Sequence, residues 1–360
     1  MLSVILSFLI SFLVCLLIVR YSHIHGHFTS DPVEGGPQKF HKNPTPRIGG
    51  LSILFGLIGA SLIFYLQNRE FASNFTLALM CSTPLFAGGI TEDLTKKISP
   101  KTRLIMAIVS GVLAFLLIDA KIERVDIPYL DDLLKLIPVS FIFSVFAIVG
   151  LSNAINIIDG FNGLASGVSI IILAGLAYVA FKINDIFILF SCLVIIAAIF
   201  GFFIWNYPRG CIFLGDCGAY LLGFLLAIMS ILLVRRNSQV SAWLPMLLLI
   251  YPVWETIFSI YRRRIKKGVS PSSPDRLHFH SLVYKRIVTW ALGTRDARYL
   301  TRRNSATSVY LWGLTLLSFI PAVLFWNNSL LLQICTFSWI LIYLWIYRKI
   351  VRFKLRRFSQ

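Results

Sequence analysis

Charge is what this chain has least of. Asp, Glu, Lys and Arg make up 14% of its 360 residues, against roughly 25% in a soluble globular protein. Acidic residues are scarcest, 16 against 34 Lys and Arg. Hydrophobic residues reach 57%, and mean hydropathy is +0.78. A soluble fold is excluded. No CxxC pair occurs among the six cysteines, which excludes a disulfide framework and a thiolate zinc site. Internal repeats, low-complexity tracts and a separate soluble module are also missing. The expectation is a single integral-membrane domain over 1–360, with a motif core at about 41–286 and a basic tail at 348–360.

What is present is a series of apolar runs long enough to span a bilayer. They lie near Leu2–Val19, Ile48–Leu66, Phe75–Ile90, Leu104–Ile118, Leu136–Ile157 and Leu164–Phe181. Others follow near Ile186–Trp205, Asp216–Val234, Ala242–Ile260, Ser308–Trp326 and Leu330–Tyr347. The fold class expected is therefore an all-α polytopic membrane protein of about eleven transmembrane helices. Most Lys and Arg residues fall in one alternate set of connections, which puts the amino terminus outside and the carboxyl terminus in the cytoplasm. The net charge of +18 follows from this topology and suits anionic headgroups. Nucleic acid is not an expected partner, because the basic residues flank spans.

Ionisable groups at membrane depth are costly and mark sites or pathways. Glycines, carboxylates, amides and histidines concentrate in five segments on the basic side. In His41–Gly50, prolines stiffen the entry to a span, and Lys42 and Arg47 suit phosphate or simply form a basic flank. Glu92-Asp93, followed by Lys96, Lys97 and Lys101, suits a base or a metal, and equally a surface ion-pair loop. Asn153, Asn156 and Asp159 recur every three residues, so a helix end sets them along one edge. Their hard oxygens suit Mg²⁺, and the bland alternative is polar contact between helices.

Asp216, between Gly215 and Gly218, reads as a metal or phosphate residue or as a helix N-cap. Asn206 and Phe213 offer an amide edge and an aromatic face for a nucleobase, or ordinary packing. Arg276, His278 and His280 suit pyrophosphate through charge-assisted hydrogen bonds, although a histidine pair alone is weak as a metal site. His23, His25 and His27 read as a solvated juxtamembrane cluster.

Taken together, PTPRxGG, xDxxxK, NxxNxxDGxxGLA, NxxP…FxGDxG and SPDRxHxH resemble the polyprenyl-phosphate N-acetylhexosamine-1-phosphate transferases. The resemblance runs from about His41 to Tyr284. It implies transfer of a sugar-1-phosphate from a UDP-N-acetylhexosamine to undecaprenyl phosphate, with release of UMP, at the cytoplasmic face of a bacterial inner membrane. The product would start a surface glycan such as an O-antigen. The implied cofactor is Mg²⁺, with Mn²⁺ as a substitute, and a homodimer is left open.

The same resemblance implies site roles. Asp93, Asp159, Asp216 and His280 form the catalytic set, with Asp93 acting on the lipid phosphate. Asn156 and Asp216 hold the metal. Lys42, Arg47, Glu92, Lys101, Asn153, Asn162, Asn206, Phe213, Arg276 and His278 meet substrate, with Asn162, Asn206 and Phe213 on the uridine.

Three positions depart from the family pattern. Glu92 replaces the first acid of an Asp pair, Asn162 replaces the second Asp of DGxDG, and Ser281 cuts short a histidine-rich ending. The last change suggests a different sugar. A secondary transporter and an inactive scaffold remain as alternative readings; the lack of repeats and the edge position of the charges weigh against the transporter.

Overall fold

The computed structural model describes residues 1–31, 44–267, 278–291 and 299–352. Lys42 and Arg276 lie outside these described residues. The chain is helical almost throughout. In order come α1 (Leu2–Arg20), α2 (Ser22–Thr29), α3 (Gly49–Gln67), α4 (Arg69–Thr95), α5 (Pro100–Leu117), α6 (Leu130–Leu134), α7 (Ile137–Ile158) and α8 (Leu164–Lys182). Then follow α9 (Ile186–Asn206), α10 (Gly215–Arg236), α11 (Trp243–Leu248), α12 (Ile250–Lys267), α13 (Phe279–Leu282), α14 (Thr289–Ala291), α15 (Leu300–Leu324) and α16 (Ser329–Arg352). A π-helical turn, Val283–Val288, follows α13. The one departure from all-α among the described residues is a two-residue antiparallel pair, β1 (Ser30–Asp31) and β2 (Thr45–Pro46), in register Ser30 to Pro46.

Local chemistry starts and stops the helices. Asn68, Ser99 and Asp185 accept backbone N–H bonds three residues on, at the starts of α4, α5 and α9, and Pro100 pre-sets the first turn of α5. Pro84 interrupts the hydrogen-bond ladder inside α4. There the N–H of Leu85 goes to the Ser110 hydroxyl of α5 at 3.1 Å, as an apolar surround requires.

The protein is built around α10, which is buried along its whole apolar length and packs against α3, α4, α7, α8 and α9. A helix apolar on all sides belongs in a core. Small residues let its neighbours come close: a Cβ at Gly50 would strike Gly218, and one at Gly89 would strike Cys217. On the rim, α1 buries Ser3, Ser7, Ser11 and Cys15, one per turn. The hydroxyls of Ser7 and Ser11 donate to the Val194 and Ala198 carbonyls of α9 at 3.1 and 2.7 Å.

Nine of the described helices are long and apolar enough to cross a membrane. Two other expected spans look different. Phe75–Ile90 is the middle of the 27-residue α4, which carries Pro84 and polar ends. Ala242–Ile260 is broken at Leu249 into α11 and α12, with Pro245 and Pro252 removing ladder donors around the break. The span expected at Ser308–Trp326 begins earlier, at Leu300, so Arg303 and Asn304 are helical. The histidine cluster also differs from its expected solvated state. His23 and His27 are exposed, but His25 is partly buried, with its ring nitrogens bonded to the Thr29 hydroxyl and the Ile18 carbonyl at 2.7 and 3.0 Å.

Candidate active site

The segments holding Arg47 and Asp216 are far apart in sequence and run side by side. The N–H groups of Phe213, Gly49 and Gly50 bond to the carbonyls of Pro46, Phe213 and Leu214 at 2.8, 2.9 and 2.9 Å. Gly215 follows at φ +75°, and a Cβ there would collide with the Arg47 carbonyl and the Asp93 carboxylate. Only glycine fits, both for its left-handed backbone and for its clearance.

Directly above sits Asp93, at the end of α4, with no solvent exposure. Its two oxygens accept the N–H groups of Asp216 and Cys217, both at 2.9 Å. A carboxylate on two free amides at a helix N-terminus satisfies orphan donors and meets the positive end of the helix dipole. Asp93 is thus a cap for α10 supplied by another helix. Asp216 itself, in the first turn of α10, faces the site. Its carboxylate is paired with Arg103 of α5 and with Arg47 at 3.4 Å, and it accepts from the Asn156 amide at 3.2 Å. Arg47 also lies 3.7 Å from Asp93.

Asp159 is the C-cap residue of α7. Its carboxylate has no hydrogen-bond or ion-pair partner among the described residues. Although its side chain keeps some exposed surface, the protein packed around the carboxyl costs it hydration. That burial, reinforced by the charges of Asp216 and Asp93 and opposed by Arg47, pushes it up to about 7. Asp159, Asp216 and the Asn156 amide therefore gather hard oxygens at the ends of α7 and α10. Among the described residues no group of three or more His, Cys, Asp and Glu side chains is arranged to hold a metal ion by itself. A pair such as Asp216 and Asn156 fits a divalent cation that completes its shell with water and phosphate, and it does not make an all-protein cage.

The other expected residues divide. Glu92 accepts the Ile98 N–H at 2.8 Å, closing the turn after α4. Lys101 is exposed at the start of α5, two residues before Arg103. Asn153 folds back onto the Val149 carbonyl at 2.8 Å. Phe213 is half-buried beside Arg47.

Asn162 and Asn206 are both buried and bind the 160–163 loop to its surroundings. The Asn206 carbonyl oxygen accepts the Gly163 N–H at 2.5 Å, while its amide donates to the Ile212 carbonyl at 2.7 Å. Asn162 donates its amide to the Pro208 carbonyl and its N–H to Asn304, at 3.1 and 2.8 Å. Ser308 and Trp312 of α15 donate to the carbonyls of Asn162 and Gly163 at 2.6 and 3.1 Å.

On the other side of the loop, His278 stacks on His280 with centroids 5.1 Å apart and planes 9° from parallel. His280 in turn meets the Phe161 ring edge-on at 5.6 Å. Burial, with His278 nearby, pushes His280 down to about 3, so its imidazole is neutral at physiological pH. Asp159, Gly160, Phe161 and the histidine pair thus form one continuous wall.

Sequence reasoning did not single out Arg103, Glu255, Asn304 or Tyr343. Glu255, buried on α12, bonds to His278 at 3.0 Å. A lone acid inside an apolar run was a usable signal for it. Arg103 was masked by its basic flank, and nothing local marks Asn304 or Tyr343.

The glycosyl transferase family 4 model matches residues 75–234, the stretch that carries Asp93, Asn156, Asp159 and Asp216. A probable undecaprenyl-phosphate N-acetylglucosaminyl 1-phosphate transferase of Bacillus subtilis (strain 168) is 31% identical over 78% of this chain and 77% of its own length. An undecaprenyl-phosphate alpha-N-acetylglucosaminyl 1-phosphate transferase of Thermotoga maritima is 31% identical over 70% and 72%. A phospho-N-acetylmuramoyl-pentapeptide-transferase of Staphylococcus carnosus is 31% identical over 58% and 68%.

Proposed function

The chain belongs to glycosyl transferase family 4 and is a multi-pass membrane phosphotransferase that moves a sugar-1-phosphate onto a polyprenyl phosphate; on that premise we propose that its donor is a UDP-N-acetylhexosamine, its acceptor undecaprenyl phosphate, and its site the cluster around Asp216. In this reading a lipid phosphate oxygen attacks the β-phosphorus. The bond to the bridging oxygen breaks, and UMP leaves with that oxygen. The product is a lipid-linked sugar diphosphate in a bacterial inner membrane, made at the cytoplasmic face and available to start a surface glycan.

The observation that carries the reading is the convergence of Asp216, Asp159 and Asn156 with Arg47 and Arg103 at the ends of α3, α5, α7 and α10. Phosphoryl transfer needs in-line positioning and charge neutralisation more than covalent help from the protein. Two guanidiniums and a divalent cation answer the negative charge of two phosphorylated substrates. Asp216 and Asn156 would hold Mg²⁺, which when bound supplies Lewis-acid neutralisation of the diphosphate. Arg47 and Arg103, engaged with Asp216 here, are placed to turn to phosphate. Asp159, without a partner and with its raised pKa, is better suited to handle a proton than Asp93, whose two oxygens are spent on backbone amides. A site at the helix ends also suits an acceptor whose phosphate lies at the headgroup plane while its tail stays in lipid.

The test is transfer of labelled sugar into the lipid extract by membranes containing the protein, compared with Asp216→Asn at equal protein level. Label in the lipid from the wild type alone supports the reading. Equal label from both removes Asp216 from the chemistry.

A further inference from the structure

Glu255 is a carboxylate with essentially no solvent exposure, on a helix beyond the family match. One of its oxygens accepts from His278 Nδ1 and from the Phe279 N–H, both at 3.0 Å. The other accepts the hydroxyl of Tyr343, itself fully buried on α16. A carboxylate only accepts, so Nδ1 of His278 is the donor and the ring's tautomer and orientation are fixed. The Phe279 bond fixes the start of α13 at the same time. His278 then stacks on His280, and a Cβ on Gly160 would lie 3.2 Å from the His280 Nε2. A chain of contacts thus runs from α16 through α12 and the histidine pair to the loop that carries Asp159.

Two features set this group apart from a packing motif. Buried acids are poor stabilisers compared with apolar residues of the same size, so one kept fully bonded suggests a positional use. The second feature is His280 Nδ1, which is buried without a hydrogen-bond partner among the described residues. An imidazole nitrogen left in this way, on a ring beside the Asp159–Phe161 loop, has room for a partner the chain does not supply.

We propose that Glu255, braced by Tyr343, is a positioning residue that holds the His278–His280 pair against the Asp159–Phe161 loop, where the pair grips the anionic diphosphate of the nucleotide donor. The proposal rests on the transferase reading. With His278 held by Glu255, the ring stacked on it is fixed beside the loop, and His280 Nδ1 gains a phosphate oxygen as its partner.

The test uses the purified full-length protein and initial rates of UMP release, with donor and acceptor varied separately. UDP and UMP serve as inhibitors. Losing a hydrogen bond to a charged group weakens binding by about tenfold or more. Glu255→Ala should therefore raise the donor KM by about tenfold while the acceptor KM stays within about twofold. Glu255→Gln keeps the shape and an acceptor oxygen and should rescue most of that loss. Tyr343→Phe should give a smaller rise, about two- to threefold. Inhibition by UDP should weaken with donor affinity, whereas inhibition by UMP, which lacks the second phosphate, should not change.

An unchanged donor KM in Glu255→Ala overturns the proposal. So does parallel weakening of UDP and UMP, which marks general loosening of the fold. If Glu255→Ala does not fold, the Gln and Tyr343→Phe variants decide by the same criteria. Wild-type protein that releases no UMP from any donor defeats the transferase reading and this proposal with it. Turnover by the wild type with indifferent variants defeats the proposal alone.

Discussion

Carboxylates gather at both ends of α10, and the two groups are built differently. At the carboxyl-terminal end, Asp126 accepts from the Ser329 and Ser241 hydroxyls, from the Ala242 N–H and from Arg124. Arg124 reaches onward to three backbone carbonyls. Asp185 caps α9 and accepts from Arg236 and Asn237 at 3.0 and 2.9 Å. Burial works to raise both carboxyls, but these bonds outweigh it and hold them below the ordinary range. At the amino-terminal end, burial also acts on Asp159, where no hydrogen bond opposes it, and the carboxyl rises to about 7. Bonds hold the carboxyl-terminal pair down, whereas Asp159 is more deeply enclosed, has no such bond and lies near Asp216 and Asp93, all of which raise it. One end is stapled shut by side-chain and backbone donors; at the other, Asp216 is held by side chains alone and Asp159 keeps its acceptors unused among the described residues.

Four substitutions break or sharpen this contrast. Asp216→Asn should have the largest effect, lowering kcat by about a thousandfold with little change in thermal unfolding. Equal losses of activity and stability would place Asp216 with the stapled carboxylates. The Asp159 carboxyl is protonated below about pH 7 and charged above it. Wild-type kcat/KM should therefore fall about tenfold per pH unit below that value, and Asp159→Asn should be slow without that limb. A limb that persists unchanged in Asp159→Asn would assign it to another group.

Asp126→Asn should do the reverse of Asp216→Asn. It should cost about 1–3 kcal/mol of stability, because it disturbs a buried bonded network, while kcat in folded protein stays within about twofold. Lys101→Gln should matter least, changing acceptor KM by a few-fold, because an exposed charge in high dielectric contributes about 1 kcal/mol or less. A loss of more than about a hundredfold would mean that Lys101 touches the reacting groups.

The polytopic helical fold was legible because apolar length is a strong signal wherever charge is absent. It failed to give a clean span at Ala242–Ile260, where prolines split the helix, and at Ser308, where α15 continues back through polar residues. Asp159 and Asp216 stood out in the sequence because each lies beside a glycine at the end of an apolar run, and Asp93 because it closes one. Their partners did not. Asp93 read as a base or a surface acid, and only the fold shows both of its oxygens on the backbone of α10. Asn162 and Asn206 read as ligand contacts, while their bonds are to the Pro208, Ile212, Gly163 and Asn304 groups around them. Those loop bonds were not legible in sequence, since they depend on which groups the fold sets opposite the two amides.

The most direct test of the central claim is UMP release by the purified protein supplied with undecaprenyl phosphate, a UDP-N-acetylhexosamine and Mg²⁺. The account predicts release that requires the lipid and stops when EDTA removes the metal. Absence of release from folded protein with every such donor, or release at the same rate without the lipid, would contradict it.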